Sequence, residues 1–187
     1  MNDLKGFKVA VIVTDGFEEA ELTEPAVALR TAGATVEILS PKEGNIQGYR
    51  HHEKSVTVTV DHLLSEVVPE SYDGLLLPGG ALNADAIRMN PEAQEFVKNF
   101  DEARKPIASI CHAPWLLVSS GLVKGRKLTS YSSIQDDIRN AGGHWVDQEV
   151  VHEKNWITSR RPQDIPAFNR EVLRAFAEAK KSSGVAV

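Results

Sequence analysis

The sequence predicts one three-layer α/β domain, residues 1–187, around a mostly parallel sheet. Short β-branched apolar runs, such as Phe7–Thr14 (FKVAVIVT) and Asp73–Pro78 (DGLLLP), have the near-continuous hydrophobicity of strands covered on both faces. Stretches with helical spacing lie between them and stop at glycines, so strand and helix alternate as in parallel βαβ units. No repeat, linker or low-complexity segment breaks that rhythm, and 187 residues suffice for one substantial core.

Taken in order, Phe7–Thr14 is the first strand, and the turn DGFEEAE leads to a helix over Leu22–Ala32 that stops at Gly33. Thr35–Ser40 is the second strand, ended by Pro41. Polar Lys42–Lys54 reads as a loop or short hairpin, and alternating Ser55–Val60 (SVTVTV) as a half-exposed strand in a side hairpin. Leu63–Val68 is a short helix, and Asp73–Pro78 a buried strand closed by Gly79-Gly80. Asn83–Met89 and Pro91–Arg104 are two helices, the second with proline in its first turn. Pro106–Ile110 is a strand that runs into Cys111 and then into the helical stretch HAPWLLVSSG. Lys127–Ser130 is a brief strand and Ser133–Asn140 a helix. His144–Asp147, Glu149–His152 and Trp156–Ser159 are short strands with a turn at Lys154-Asn155. The last helix covers Gln163–Lys181, and the tail SSGVAV is expected to fray. The sheet implied is flavodoxin-like.

Composition is that of a globular protein, 42% hydrophobic and 25% charged. A net charge of −5 argues against nucleic-acid binding. No apolar run has the length of a membrane span, and MNDLKGFKVAV lacks the parts of a secretory signal, so a cytoplasmic setting is expected. One cysteine excludes an internal disulfide and any multi-cysteine metal site. The histidines His51, His52, His62, His144 and His152 match no metal spacing, so neither metal nor cofactor is expected; His51-His52-Glu53 reads as solvated loop.

Ligand sites in such sheets gather at the carboxyl ends of strands. Three of those ends carry suggestive residues: the DGFEEAE turn, the PGG turn and Cys111-His112. A cysteine at a sharp strand-to-helix corner, with small Ser109 and Ala113 on either side, is a nucleophile elbow. There the thiol is expected to be exposed and easily ionised. Glu19 and Glu24 read as helix-start charge, whereas Glu18 and Glu21, three apart, share a helix face that can look toward the sheet end. Glu21 is the candidate for contact with sulfur, with a raised pKa and a proton-transfer role. Gly79-Gly80 lacks the lysine of a phosphate loop; the N–H groups of Gly80 and His112 suit an oxyanion hole, and a plain tight turn is the alternative. Adjacency weakens the case for a Cys111–His112 pair, since neighbouring side chains at a turn diverge, and His112 needs a further group to orient it. Arg160-Arg161 could meet an anionic substrate, though pairing with surface carboxylates is the usual role.

Five segments, DGFEEAELTEP, YDGLLLPGG, KPIASICHAPWLL, GRKLTSYSSIQDDIRNAGGHWVDQEVV and NWITSRRPQD, resemble the PfpI branch of the DJ-1/PfpI superfamily, relatives of class I glutamine amidotransferases. The resemblance implies a flavodoxin-like sandwich, a nucleophilic Cys111, an acidic partner at Glu21 with Glu18 nearby, and Tyr131 bordering the pocket. It also implies a homodimer or larger homo-oligomer with the site near a subunit interface. Two departures stand out. The corner reads CHA where many relatives have CHG. Around Asn83-Ala84-Asp85 the segment differs from peptidase-like members, in which an acidic residue reaches a neighbour's histidine; Asp85 is the candidate for that inter-subunit role toward His112.

The function expected is a stress-protective, cysteine-dependent enzyme acting on reactive carbonyls, of glyoxalase or deglycase type. Its substrate is a small aldehyde, or a protein or peptide that such an aldehyde has modified. An intracellular cysteine peptidase is the second reading, and a thiol redox sensor or chaperone without turnover the third. A glutamine amidotransferase is the weakest, because His152 and Glu153 are adjacent and face apart on a strand.

Overall fold

A computed structural model of the chain describes residues 3–182 and 184. The elements, in chain order, are β1 (Lys8–Ile12), β2 (Phe17–Glu18), α1 (Glu19–Thr31), β3 (Thr35–Ser40), β4 (Asn45–Arg50), β5 (Glu53–Thr59) and β6 (His62–Leu63). There follow β7 (Gly74–Leu77), α2 (Ala81–Arg88), α3 (Pro91–Glu102), β8 (Ile107–Ile110), α4 (Pro114–Ser119), β9 (Lys127–Leu128), α5 (Gln135–Asn140), β10 (His144–Trp145), β11 (Val150–Glu153), β12 (Trp156–Ser159) and α6 (Ile165–Ser182).

The main sheet runs β11-β12-β8-β7-β1-β3-β6 and is parallel except for β11. The strand order reverses between β1 and β7, since the chain first moves outward to β3 and then returns to build the other half. A flavodoxin-like sheet has its ligand crevice at such a switch point. Period-2 alternation along β1 explains the layers. Val9 and Val11 pack on one side with Leu22, Ala26 and Leu29 of α1 and Phe168, Val172 and Phe176 of α6. Ala10 and Ile12 face the other side, with Phe96, Val97 and Phe100 of α3, Leu116 and Leu117 of α4 and Ile138 of α5. A strand covered twice needs apolar residues at every position, which is why FKVAVIVT shows no polar face.

Several expected boundaries move. The first helix begins at Glu19, so Glu18 is its N-cap, with extended backbone (φ −74°, ψ 120°), rather than a helical residue sharing a face with Glu21. Lys42–Lys54 contains β4, which pairs with β5 as an antiparallel hairpin turned at His51-His52. β2 adds to β4 in parallel, with Phe17 opposite Gly48, and so ties the turn after β1 to that hairpin. The fit requires glycine: a Cβ on Gly48 would lie 2.7 Å from the Phe17 ring. Leu63–Val68 yields a single 3-10 turn, Leu64–Glu66. Of the tail expected to fray, all but Ser182 and Gly184 lies outside the described residues, and Ser182 is helical.

Candidate active site

The loops after β1, β7, β8 and β12 leave the same end of the sheet and surround a cavity of about 690 Å³. Cys111 lies at its floor, directly after β8. Its backbone adopts φ +64°, a left-handed conformation uncommon for a residue with a side chain. Two hydrogen bonds hold it there: Cys111 N–H donates to Ser159 C=O at the end of β12 (3.1 Å), and Tyr131 N–H donates to Cys111 C=O (2.8 Å). α4 starts three residues later, at Pro114.

The thiol is not exposed as expected: Cys111 is 6% accessible. Glu21 of α1, fully buried, and the Gly79 turn close over it. Gly79 is what allows the meeting. A Cβ there would fall onto Glu21 Oε2, 2.6 Å from Cys111 Cβ and 2.9 Å from Ile110 C=O. Glu21 approaches the thiol and the Gly79 N–H closely enough for each to act on its charge. Neither carboxyl oxygen, however, completes a well-aligned hydrogen bond among the described residues.

The electrostatics follow from that burial. Desolvation pushes the Glu21 carboxyl up to about 8; Cys111 and the Gly79 N–H oppose the rise, while the negative charge of Glu18 adds to it. Burial also pushes the Cys111 thiol up, followed by the charge of Glu21, so the expectation of ready ionisation from position alone is corrected. The N–H groups of Gly80 and His112 act on sulfur in the opposite sense, favouring thiolate. The repulsion from Glu21 exists only while its carboxylate is charged. Near neutral pH the carboxyl holds its proton, and sulfur then faces an acid rather than an anion.

His112 does not diverge from Cys111. The left-handed corner swings its Nδ1 to 3.2 Å from Sγ, and Nε2 lies 3.1 Å from Ser133 Oγ. The ring stacks on Tyr131 (4.7 Å between centroids, 25° between planes) and tilts against Trp115. Burial lowers the His112 pKa, so the imidazole is neutral at neutral pH. Asp85 is exposed on α2, and among the described residues no hydrogen bond or ion pair joins it to His112.

Glu18 borders the cavity, but its carboxylate accepts the His51 N–H (3.0 Å), so it reaches Glu21 only through its field. His51 and His52 are exposed, yet they form part of the rim. Arg160 is held by Asp164 (2.8 and 3.0 Å) and Asp147 (2.7 Å), whereas Arg161 lies on the rim. Sequence reasoning missed Ser133, which carried no signal beyond its place after TSY. It also missed Asn83, which is 2% exposed and donates to the C=O of Pro78 and of Gly79 (3.0 Å each) while accepting the Thr14 N–H (2.8 Å). Asn83 thereby clamps the PGG turn to the end of β1; an asparagine two residues after that turn's helix start was the available clue. Among the described residues no three His, Cys, Asp or Glu side chains gather to hold a metal, and no helix is long and apolar enough to cross a membrane.

A switch-point cavity in a flavodoxin-like sheet, with a buried cysteine against a carboxyl, defines an α/β protein of the thiol–carboxyl kind. A profile of the DJ-1/PfpI family matches residues 7–175, and the chain belongs to that family. It is 44% identical over 168 residues to protein/nucleic acid deglycase 2 of Escherichia coli, covering 89% of this chain and 96% of that one. It is 42% identical over 167 residues to deglycase TK1284 of Thermococcus kodakarensis, covering 89% and 98%. The crystal structure of Drosophila melanogaster DJ-1beta superposes with a TM-score of 0.82 at 28% identity, covering 97% and 99%.

Proposed function

We propose that this protein is a cysteine-dependent enzyme acting on reactive carbonyls, a deglycase or glyoxalase of the PfpI type. The names of two relatives more than 40% identical to it support that reading. The observation that carries it is the packing of Glu21 on Cys111 across the bare Gly79. In this reading Cys111 is a nucleophile elbow. Its thiolate adds to the aldehyde carbon of methylglyoxal, or bonds to the matching carbon of a hemiaminal adduct as the C–N bond breaks and the amine leaves. The developing oxyanion takes hydrogen bonds from the Gly80 and His112 N–H groups. Glu21, protonated at neutral pH with a pKa of about 8, gives its proton to that oxyanion or to the departing amine. As carboxylate it then removes the proton from the same carbon and returns one to the neighbouring carbon. The resulting thioester is hydrolysed by water, giving a 2-hydroxy acid and the free thiol. Tyr131 and Glu18 shape the pocket.

Peptide hydrolysis fits less well, because a leaving amine needs a protonated histidine. Burial favours neutral His112, and its outer nitrogen meets a serine rather than a carboxylate. We further infer self-association through α2, where Leu82 (67% exposed) on the cavity rim and Met89 (73%) just after the helix lie on either side of Asp85 in sequence. Light scattering on the purified chain tests that, and a monomer rejects it. The catalytic test measures hydroxy-acid release from methylglyoxal and cleavage of a fluorogenic peptide by wild type, Cys111→Ser and Glu21→Gln. Aldehyde turnover lost in both variants, with no peptide cleavage by wild type, is expected; wild type inert toward carbonyls overturns the reading.

A further inference from the structure

His112 is engaged at both ring nitrogens, by sulfur at Nδ1 (3.2 Å) and by Ser133 Oγ at Nε2 (3.1 Å). A neutral imidazole has one N–H and one lone pair, so two arrangements are available. With the proton on Nε2, the ring donates to Ser133 and turns a lone pair toward sulfur, which suits a thiol and repels a thiolate. With the proton on Nδ1, the ring donates to sulfur and Nε2 must receive a donor. A carboxylate in the place of Ser133 could only accept, and would enforce the first arrangement. A serine hydroxyl can donate, and so permits the second.

We propose that Ser133 is a positioning residue that donates its hydroxyl to His112 Nε2 and holds the ring as the neutral Nδ1–H tautomer, aimed at the Cys111 thiolate. The ring N–H then joins the backbone N–H groups of Gly80 and His112 as a third donor on sulfur. Protons balance without the histidine: Glu21 already holds its proton near neutral pH, so the one that sulfur gives up passes to solvent, and His112 neither gains nor loses any. The surroundings agree. Facing the ring are Cys111 from the β8 corner, Tyr131 and Ser133 from the segment after β9, and Trp115 of α4, over whose ring lies Arg88. Across the cavity lie Glu18, Glu21, His51, His52 and Arg161. Of the two carboxyls, Glu18 is held by the His51 N–H and Glu21 adjoins sulfur, so among the described residues neither bonds the imidazole. The stack on Tyr131 keeps the ring plane in line with both partners.

The inference rests on Cys111 as the nucleophile of the proposed reaction, but its readout needs no substrate. Protein labelled with nitrogen-15 histidine gives long-range proton–nitrogen spectra that report each tautomer, with the His112 signals assigned by their loss in His112→Gln. Wild type at neutral pH is expected to show Nδ1 protonated, and Ser133→Ala a mixture of tautomers. Thiolate absorbance should titrate at higher pH in Ser133→Ala, and alkylation of Cys111 at neutral pH should slow roughly fivefold, the worth of one hydrogen bond. Ser133→Thr should restore both, and Ser133→Asp should keep His112 charged to higher pH. Wild type in the Nε2–H form, or a Ser133→Ala protein with unchanged tautomer and thiol titration, overturns the proposal. A protein that shows the expected tautomer and thiol shifts but turns over no carbonyl sinks the proposed function and leaves this inference standing.

Discussion

Two cavities of nearly equal size lie at opposite ends of the main sheet. One, about 690 Å³, opens at the carboxyl ends of the strands over Cys111. The other, about 710 Å³, opens at the amino ends, around Pro106 before β8 and Asn155 before β12. At the amino end the charges on the floor are met. Arg126 bonds Glu153 (2.5 Å) and Asp101 (3.2 Å) and lies 3.8 Å over the Trp156 ring, while Asp101 also accepts from Asn155 and from Trp156 Nε1. At the carboxyl end both oxygens of buried Glu21 go without a well-aligned bond, and Cys111 sits in a left-handed backbone. Volume does not tell the two apart, but polar satisfaction does. At one end the charges hold the fold together; at the other, in the proposed reaction, groups are left unmet for a substrate to meet.

The strongest attempt to break that contrast is Cys111→Ser. The less nucleophilic oxygen should lower carbonyl turnover by roughly a thousandfold or more while changing the stability read from urea unfolding by about 1 kcal/mol or less. Residual turnover within tenfold of wild type would place the chemistry elsewhere.

Next in size is the pH dependence of stability carried by Glu21. Its carboxyl titrates at about 8 in the folded chain against 4.5 when free, so between those values the folded state holds a proton that the unfolded state has lost. Stability from this group is therefore complete below about pH 4.5. It declines by about 1.4 kcal/mol per pH unit as pH rises toward 8, and is level above that. Glu21→Gln removes the decline. Denaturation followed across pH should show the variant more stable than wild type at alkaline pH, by an amount on the order of 4 kcal/mol. Parallel curves for the two proteins would mean that Glu21 is not held neutral.

Arg126→Met probes the other end. It removes the guanidinium that joins Asp101 to Glu153 in a half-buried setting, at a cost of about 3 kcal/mol in urea unfolding, with kcat unchanged below the transition. A stable variant with impaired turnover would reverse the roles assigned to the two ends.

The same contrast marks what the chain made legible. A strand buried on both faces was readable from the continuous apolar run that burial imposes, as in β1, and a half-exposed one from its clean alternation, as in β5. So was the gathering of Glu21, Gly79, Gly80 and Cys111, because parallel strands deliver their following loops to one end. What escaped were facts of depth and direction. Nothing in KPIASICHAP says that Glu21 and the Gly79 turn will roof the thiol; that depends on a missing side chain meeting two residues from other loops. The Cys111–His112 contact follows from one backbone angle, and Ser133 reaches the ring across 21 residues of sequence. Glu18 was placed on a helix face because its spacing from Glu21 is helical, while the chain in fact pairs it into β2, one residue before the helix begins.

That misplacement yields the smallest effect and the finest test of the carboxyl end. Glu18 touches neither sulfur nor its proton, but its charge raises the Glu21 pKa. Glu18→Gln keeps an oxygen to accept the His51 N–H, so the hairpin stays in place, and it removes only the charge. Without that anion Glu21 loses its proton more readily, and the alkaline limb of the carbonyl-turnover profile should move to lower pH. The maximal rate should change by less than about twofold, since no group in contact with substrate is altered. Glu178→Gln, which alters a carboxylate at the amino-end cavity, should leave the limb in place. If both substitutions move the limb alike, the response reflects the net charge of the protein rather than the field at Glu21. If neither moves it, Glu21 is not the group whose proton sets that limb.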